Sequence, residues 1–165
     1  MKFWTLLLLS LLPCWAMALE VGERLPAWTL LDQFDAPYSL NEDACILLVA
    51  RDMGGAKLVN AALQGQPKGY LEGRQAVFLA DIQRMPTLIA KMFALPSMRS
   101  YDYRVVLDRE GRIAPAYNVA DDSVLWLELD HQRLVAQHEF TDAAALKTAL
   151  EQAKKAGEQT AYRTV

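Results

Sequence analysis

Cysteine is scarce in this sequence. Only Cys14 and Cys45 occur among 165 residues, which excludes the disulfide framework that staples small exported domains. Histidine is equally rare, and His131 and His138 are not spaced as paired metal ligands, so no metal site is expected. Basic residues do not exceed acidic ones. With 17 Lys and Arg against 20 Asp and Glu, a net charge of -3 and a pI near 5.4, the chain has no global positive field to draw it to nucleic acid or anionic lipid. Neither G-x-x-x-x-G-K-[ST] nor G-x-G-x-x-G occurs, so no phosphate-cradling loop or dinucleotide fingerprint is present. No His-Glu-x-x-His, Ser-His-Asp order or paired-carboxylate motif stands out either. What the chain does have is apolar material. Hydrophobic residues make up 53% and charged ones 22%, enough for one packed core and too apolar for disorder.

The N-terminus reads as a targeting segment. Lys2 is the only charge before Glu20, and Phe3 to Leu12 is apolar, followed by Pro13, Cys14 and the small-residue exit Ala16-Met17-Ala18. A membrane anchor needs roughly 20 apolar residues, and Pro13 interrupts this shorter run. Residues 1–18 are therefore expected to be a signal peptide and the protein to be exported, into the periplasm if the source is a Gram-negative bacterium, with no stable anchor after cleavage. Pro13 replaces the small residue that precedes a lipidated cysteine, so Cys14 leaves with the signal and Cys45 is the thiol that remains. Residues 19–156 form the domain, and 157–165 a polar, flexible tail beyond Gly157.

The domain alternates short apolar runs with helical patterns and contains no repeat. Trp28 to Leu31 and Tyr38 to Leu40 can pair as a hairpin. Cys45 to Ala50 is a continuous apolar run suited to a central strand, and Gly54-Gly55 punctuates its end before helical spacing over Ala56 to Leu63. Ala76 to Ala80 is a second buried strand. Pro86 opens a helix with Leu88, Ile89, Met92 and Phe93 on one side, and Pro96 closes it. Tyr103 to Leu107 is a third strand, stopped by the turn Asp108-Arg109-Glu110-Gly111. Val124 to Leu129 and Leu134 to Phe140 flank Asp130-His131-Gln132 as an antiparallel hairpin. Thr141 then caps a helix whose Ala145, Leu146, Ala149 and Leu150 face the sheet.

This order resembles the thioredoxin-like superfamily, in its peroxiredoxin and thiol-disulfide oxidoreductase branch. The opening Val21-Gly22-Glu23-Arg24-Leu25-Pro26-Ala27-Trp28-Thr29-Leu30-Leu31-Asp32-Gln33-Phe34 is similar to that branch's G-x-x-x-P-x-(aromatic)-x-L-x-D. The resemblance runs from about Val21 to Ala153 and implies an α/β three-layer sandwich, a central mixed sheet with an N-terminal β-hairpin extension. It also implies a Cys-x-x-Cys after the first central strand, where a helix start lowers the attacking thiol's pKa. The aligned positions here are Met53 and Ala56. The peroxidase pattern Pro-x-x-x-Thr-x-x-Cys is absent too, and the cis-proline the family places just before the third central strand has Tyr101-Asp102 at the nearest positions. Cys45 sits at the other end of its strand, five residues at roughly 3.3 Å each from Ala50. It is either a small, at least partly buried apolar residue or a redox thiol.

Two groups of residues remain as candidates. Arg51, Asp52, Met53, Gly54, Gly55 and Lys57 offer backbone N–H groups and cations for a carboxylate or phosphate; alternatively Asp52 caps the turn and the cations are solvated. Asp81, Arg84 and Met85 after the second strand, with Arg99, Tyr101 and Asp102 before the third, fall at the same sheet end if the strands are parallel. Met53, Met85 and Met98 could approach one corner as Cu(I) ligands or simply fill space. Trp28 and Tyr117 are candidate partner-surface aromatics. The reading is a non-catalytic exported domain binding a protein partner or a small anionic ligand at this corner, with no cofactor. The alternative is a redox protein acting through Cys45 or a bound cofactor; some proteins of this resemblance carry a flavin dehydrogenase label, which no motif here supports.

Overall fold

The computed structural model describes the backbone of residues 19–161 and side chains up to residue 153; the expected signal peptide lies outside the described residues. An uninterrupted apolar run cannot divide itself between core and water, so it belongs where both sheet faces are covered. The strands β1 (Thr29–Asp32) and β2 (Pro37–Ser39) form the N-terminal hairpin. The apolar run follows as β3 (Ile46–Ala50), buried at every residue. Helix α1 (Met53–Leu63) leads to β4 (Ala76–Asp81), also wholly buried. Next come α2 (Thr87–Ile89), a π-helical turn (Ala90–Ala94) and α3 (Leu95–Arg99), then β5 (Val105–Asp108). The antiparallel pair β6 (Val124–Asp130) and β7 (Arg133–Phe140) precedes α4 (Ala143–Ala161).

All seven strands form one sheet, ordered β2-β1-β5-β4-β3-β6-β7. The three inner strands β5, β4 and β3 are mutually parallel, while β6 and β1 pair antiparallel on either side. The C-terminal ends of β3, β4 and β5 therefore gather at one end of the sheet, the geometry expected of the candidate loops. One face packs against α1, α4 and Met98 of α3, with Phe78, Trp126, Leu146 and Leu150 at its centre. The other face is covered by the segment around Leu25 and Trp28, by Leu40 and by the 3-10 turn Ala114–Tyr117. Three layers are present, the third built largely from irregular chain.

Five local expectations change. The first helix starts at Met53 rather than Ala56, because Asp52 supplies the N-cap and Gly54-Gly55 lie inside the first turn. Pro96 does not end its helix. It lacks an N–H and its ring crowds the carbonyl four residues back; the turn before it widens, with Leu95 N donating to Ala90 O, and Pro96 sits in the first turn of α3. The cap of α4 is Asp142, whose carboxylate accepts from Ala145 N at 2.8 Å, not Thr141. Leu146 and Leu150 are buried and Ala149 is half-buried, but Ala145 faces water. The helical backbone also continues past Gly157 to Ala161, within the stretch expected to be a tail.

Candidate functional site

The head of α1 is closed by its own residues. Asp52 is extended (φ -148°) and its Oδ1 accepts from Gly55 N at 2.8 Å. Its Oδ2 accepts from Asp122 N at 2.7 Å, so one carboxylate ties the helix start to the turn before β6. Gly54 and Gly55 are required by that closeness. A Cβ on Gly54 would run into the Asp122 carboxylate, and one on Gly55 into the Ser123 carbonyl oxygen. The anion seat expected on these glycines is thus occupied by Asp52. The wall against the α1 N-terminus is Ala120 to Ser123, with Asp122 left-handed at φ 54°. Tyr101-Asp102 is not that wall, and β5 opens at Val105, so the residue just before that strand is Arg104. No cis peptide bond occurs among the described residues.

Beside the capped turn lies an apolar cleft between α1 and the α2–α3 segment. One cavity of about 240 Å³ reaches the sheet at Phe78 and Val105 and has Lys57 and Asn60 on its rim. A second, of about 330 Å³, extends toward Ala80 and is edged by Arg51, Asp52 and Arg84. Met53, Ala56, Met85, Ile89 and Met98 line both, so the two form one continuous groove. Met53 and Ala56, at the positions aligned with the cysteine pair, are part of its wall. Met53, Met85 and Met98 all line this groove.

The segment Thr87 to Arg99 explains the groove. It carries two stripes, and the small one faces the sheet: Ala90 and Met98 are buried and Ala94 partly so. The large stripe, expected to be core, points outward. Leu88 is 67% exposed, Phe93 63%, Met92 59% and Ile89 42%, and Met53 on α1 is 53% exposed. Ile89 and Phe93, assigned from sequence to the interior, are groove residues. The clue was the alanine pair at helical spacing, which lets a helix sit close to a sheet and turns larger neighbours away.

The remaining candidates divide. Arg51 is mostly buried, its Nε 3.5 Å from Oδ2 of the buried Asp81, which also accepts from Gln83 N. Arg84 stands 3.9 Å from Asp121, both exposed. Tyr101 lines the groove and stacks on Tyr103 with ring centroids 5.0 Å apart. Arg99 and Asp102 do not join them. Arg99 donates to Gln33 O at 2.8 Å and pairs with Asp35, and Arg99 and Asp102 border a further, polar hollow of about 480 Å³ with Lys68 and Arg104. Gln33, part of the opening stretch, has no role assigned to it by the sequence. It is fully buried, donates to Tyr103 O at 2.8 Å and accepts from Val105 N at 2.9 Å, binding the N-terminal hairpin to the start of β5.

Trp28 and Tyr117 are not a partner surface. Both are buried, and the Trp28 indole donates to the Tyr117 hydroxyl at 3.0 Å. Cys45 is exposed rather than buried, its thiol donating to Gln75 Oε1 at 3.3 Å. Partial burial and the carboxylates of Asp130 and Asp43 hold its pKa above the ordinary thiol value. Among the described residues no cluster of three His, Cys, Asp or Glu could hold a metal ion, and no helix is long and apolar enough to cross a membrane.

Comparison with solved structures decides the fold. A peroxidoxin, BcpB, from Mycobacterium tuberculosis superposes with a TM-score of 0.57 at 15% identity, covering 84% of this chain and 97% of the other. The thioredoxin domain of a thiol-disulfide oxidoreductase from Bacteroides vulgatus gives 0.53 at 16%, covering 82% and 98%. The chain has the thioredoxin-like fold. A thiol peroxidase from Chromobacterium violaceum matches over 83% and 89% with a TM-score of 0.50 at 12% identity. No family model matches the sequence and no curated protein matches it, so the likeness to the solved structures is one of architecture.

Proposed function

We propose that this chain is an exported binding domain that does not perform thiol-disulfide chemistry, and that it holds a protein partner or small ligand in the groove beside α1. The observation that carries this reading is the apolar wall formed by Met53 and Ala56 where the fold's cysteine pair would stand. Neither side chain forms a thiolate, and Cys45 lies at the far end of β3 with its thiol held protonated relative to a free cysteine. Open apolar grooves with a few charged groups on the rim are what ligand and partner sites look like. Export is supported by the Lys2 to Ala18 pattern.

Thermal unfolding tests the reading. The protein is screened against anilinonaphthalenesulfonate, simple anions, flavins, haem and Cu(I), beside Arg51→Ala/Lys57→Ala and Cys45→Ser. A ligand at about 100-fold excess over its dissociation constant should stabilise by about 3 kcal/mol. Loss of that effect in the double variant but not in Cys45→Ser supports the groove. Thiol-disulfide or peroxide turnover that Cys45→Ser abolishes would overturn the reading and favour the redox alternative.

A further inference from the structure

We propose that the groove between α1 and α2–α3 receives an acidic, amphipathic helix of a protein partner; this rests on the binding reading above and assigns the occupant. The first support is the extent of the apolar surface. Leu88 and Met92 lie outside both cavities yet are 67% and 59% exposed, so an occupant confined to the groove would leave them in water. A contiguous exposed apolar patch of this kind marks a macromolecular contact.

The second support is charge. Residues 53–63 and 82–101, which carry the two walls, contain no Asp or Glu, although the chain has 20. They contribute Lys57, Arg84 and Lys91 at the groove, while Arg99 is paired with Asp35 beside the polar hollow. Of the acids nearby, Asp52 caps α1, Asp81 is buried against Arg51 and Asp121 stands at Arg84, which leaves Asp122, beside Gly54 at the head of α1, as the one carboxylate among the described residues there with neither a cap nor an ion pair to make. Lys57 and Lys91 have no ion-pair partner among the described residues. A cationic rim around an apolar groove complements acidic flanks around an apolar stripe.

The third support is shape. The groove runs between helices over inner strands, with no free sheet edge for an added strand, which fits a helix laying its apolar face into it. Thioethers at Met53, Met85 and Met98 let the lining adapt to inserted side chains. A bilayer surface would cover the ridge but leave the concave floor at Phe78 unfilled.

The test uses protein expressed from the full chain and two labelled peptides of about 18 residues, roughly five helical turns. Both carry Leu and Phe on one face; one has Glu on its flanks, its twin Lys. Fluorescence anisotropy should show saturable binding of the Glu peptide and at least about tenfold weaker binding of the twin. Lys57→Glu/Lys91→Glu should weaken the Glu peptide about tenfold, as should Met92→Ser/Phe93→Ser; all four side chains are exposed, and melting curves confirm folding. Equal binding of the twins overturns the proposal. So does co-sedimentation with phosphatidylglycerol vesicles, lost in Met92→Ser/Phe93→Ser, when neither peptide binds. Binding of anilinonaphthalenesulfonate in the groove without either peptide overturns the helix proposal and leaves the binding reading standing; failure of dye and peptides alike overturns both.

Discussion

At the scale of single residues, the candidate site is governed by one carboxylate. Asp52 does what an anionic ligand would otherwise do at the head of α1: it takes the Gly55 N–H and places negative charge at the positive end of the helix. Asp52→Ala should cost about 0.5–2 kcal/mol in urea unfolding, the usual range for a lost N-cap, with Asp52→Asn recovering most of it. The same truncation vacates the seat, so sulfate should stabilise Asp52→Ala more than the parent; equal stabilisation would show that the carboxylate was not occupying an anion position. Cys45 gives a second residue-scale prediction. Its raised pKa means that at a fixed pH near 8 a smaller fraction is thiolate in the folded protein than in the unfolded chain. Alkylation should therefore be slower folded than in denaturant despite exposure, with the folded pH–rate midpoint displaced upward. A midpoint at or below that of the denatured chain would restore Cys45 as a sensitised thiol.

At the scale of elements, the segment from Thr87 to Arg99 separates what the sequence reveals from what it conceals. Apolar spacing predicts a helix there and Pro86 predicts its start, and both are correct. Periodicity alone, however, does not say which of two apolar stripes meets the sheet. The large stripe of Leu88, Ile89, Met92 and Phe93 looks like core on hydrophobicity; the small stripe of Ala90, Ala94 and Met98 is what packs. Likewise Asp52 and the parallel strand ends were legible from local chemistry. Gln33 and Asp122 were not, because their partners lie about 70 residues away in sequence, and pairing at that distance exists only once the sheet is built. The two stripes make opposite predictions. Leu88→Ser and Phe93→Ser should change stability by no more than about 0.5 kcal/mol, as at other surface positions. Met98→Ala should cost about 2–5 kcal/mol for the vacated core volume. Chemical denaturation of the three variants checks this, and comparable losses at Phe93 and Met98 would place the large stripe in the interior.

At the scale of the whole molecule, the sheet separates two cores, and each holds a buried tyrosine. On the helical face Tyr103 packs beside Phe78 and donates to Asn60 Oδ1 at 3.2 Å. On the opposite face Tyr117 receives the Trp28 indole N–H. Burial raises both pKa values, most strongly for Tyr103, where the neighbouring Tyr101 adds to the effect, whereas the Trp28 hydrogen bond partly offsets it for Tyr117. The sign of the pH dependence follows. A phenol whose folded pKa lies above its unfolded value, near 10, stays protonated in the native state while the unfolded chain has begun to lose its proton. The stability this protonation represents is complete below about pH 10 and is lost as pH rises from the unfolded pKa toward the folded one. Because the phenols lie on both faces, alkali loosens the two cores together, and unfolding should remain a single transition while Tm falls above about pH 10. Tyr103→Phe removes the larger contribution, so its Tm should fall less steeply with pH although its value at pH 8 is reduced by the lost Asn60 contact. Calorimetry from pH 8 to about pH 11 measures both slopes. Parallel slopes in parent and variant would show that Tyr103 titrates as freely in the native protein as in the unfolded chain, and that the packing around Phe78 is open to water.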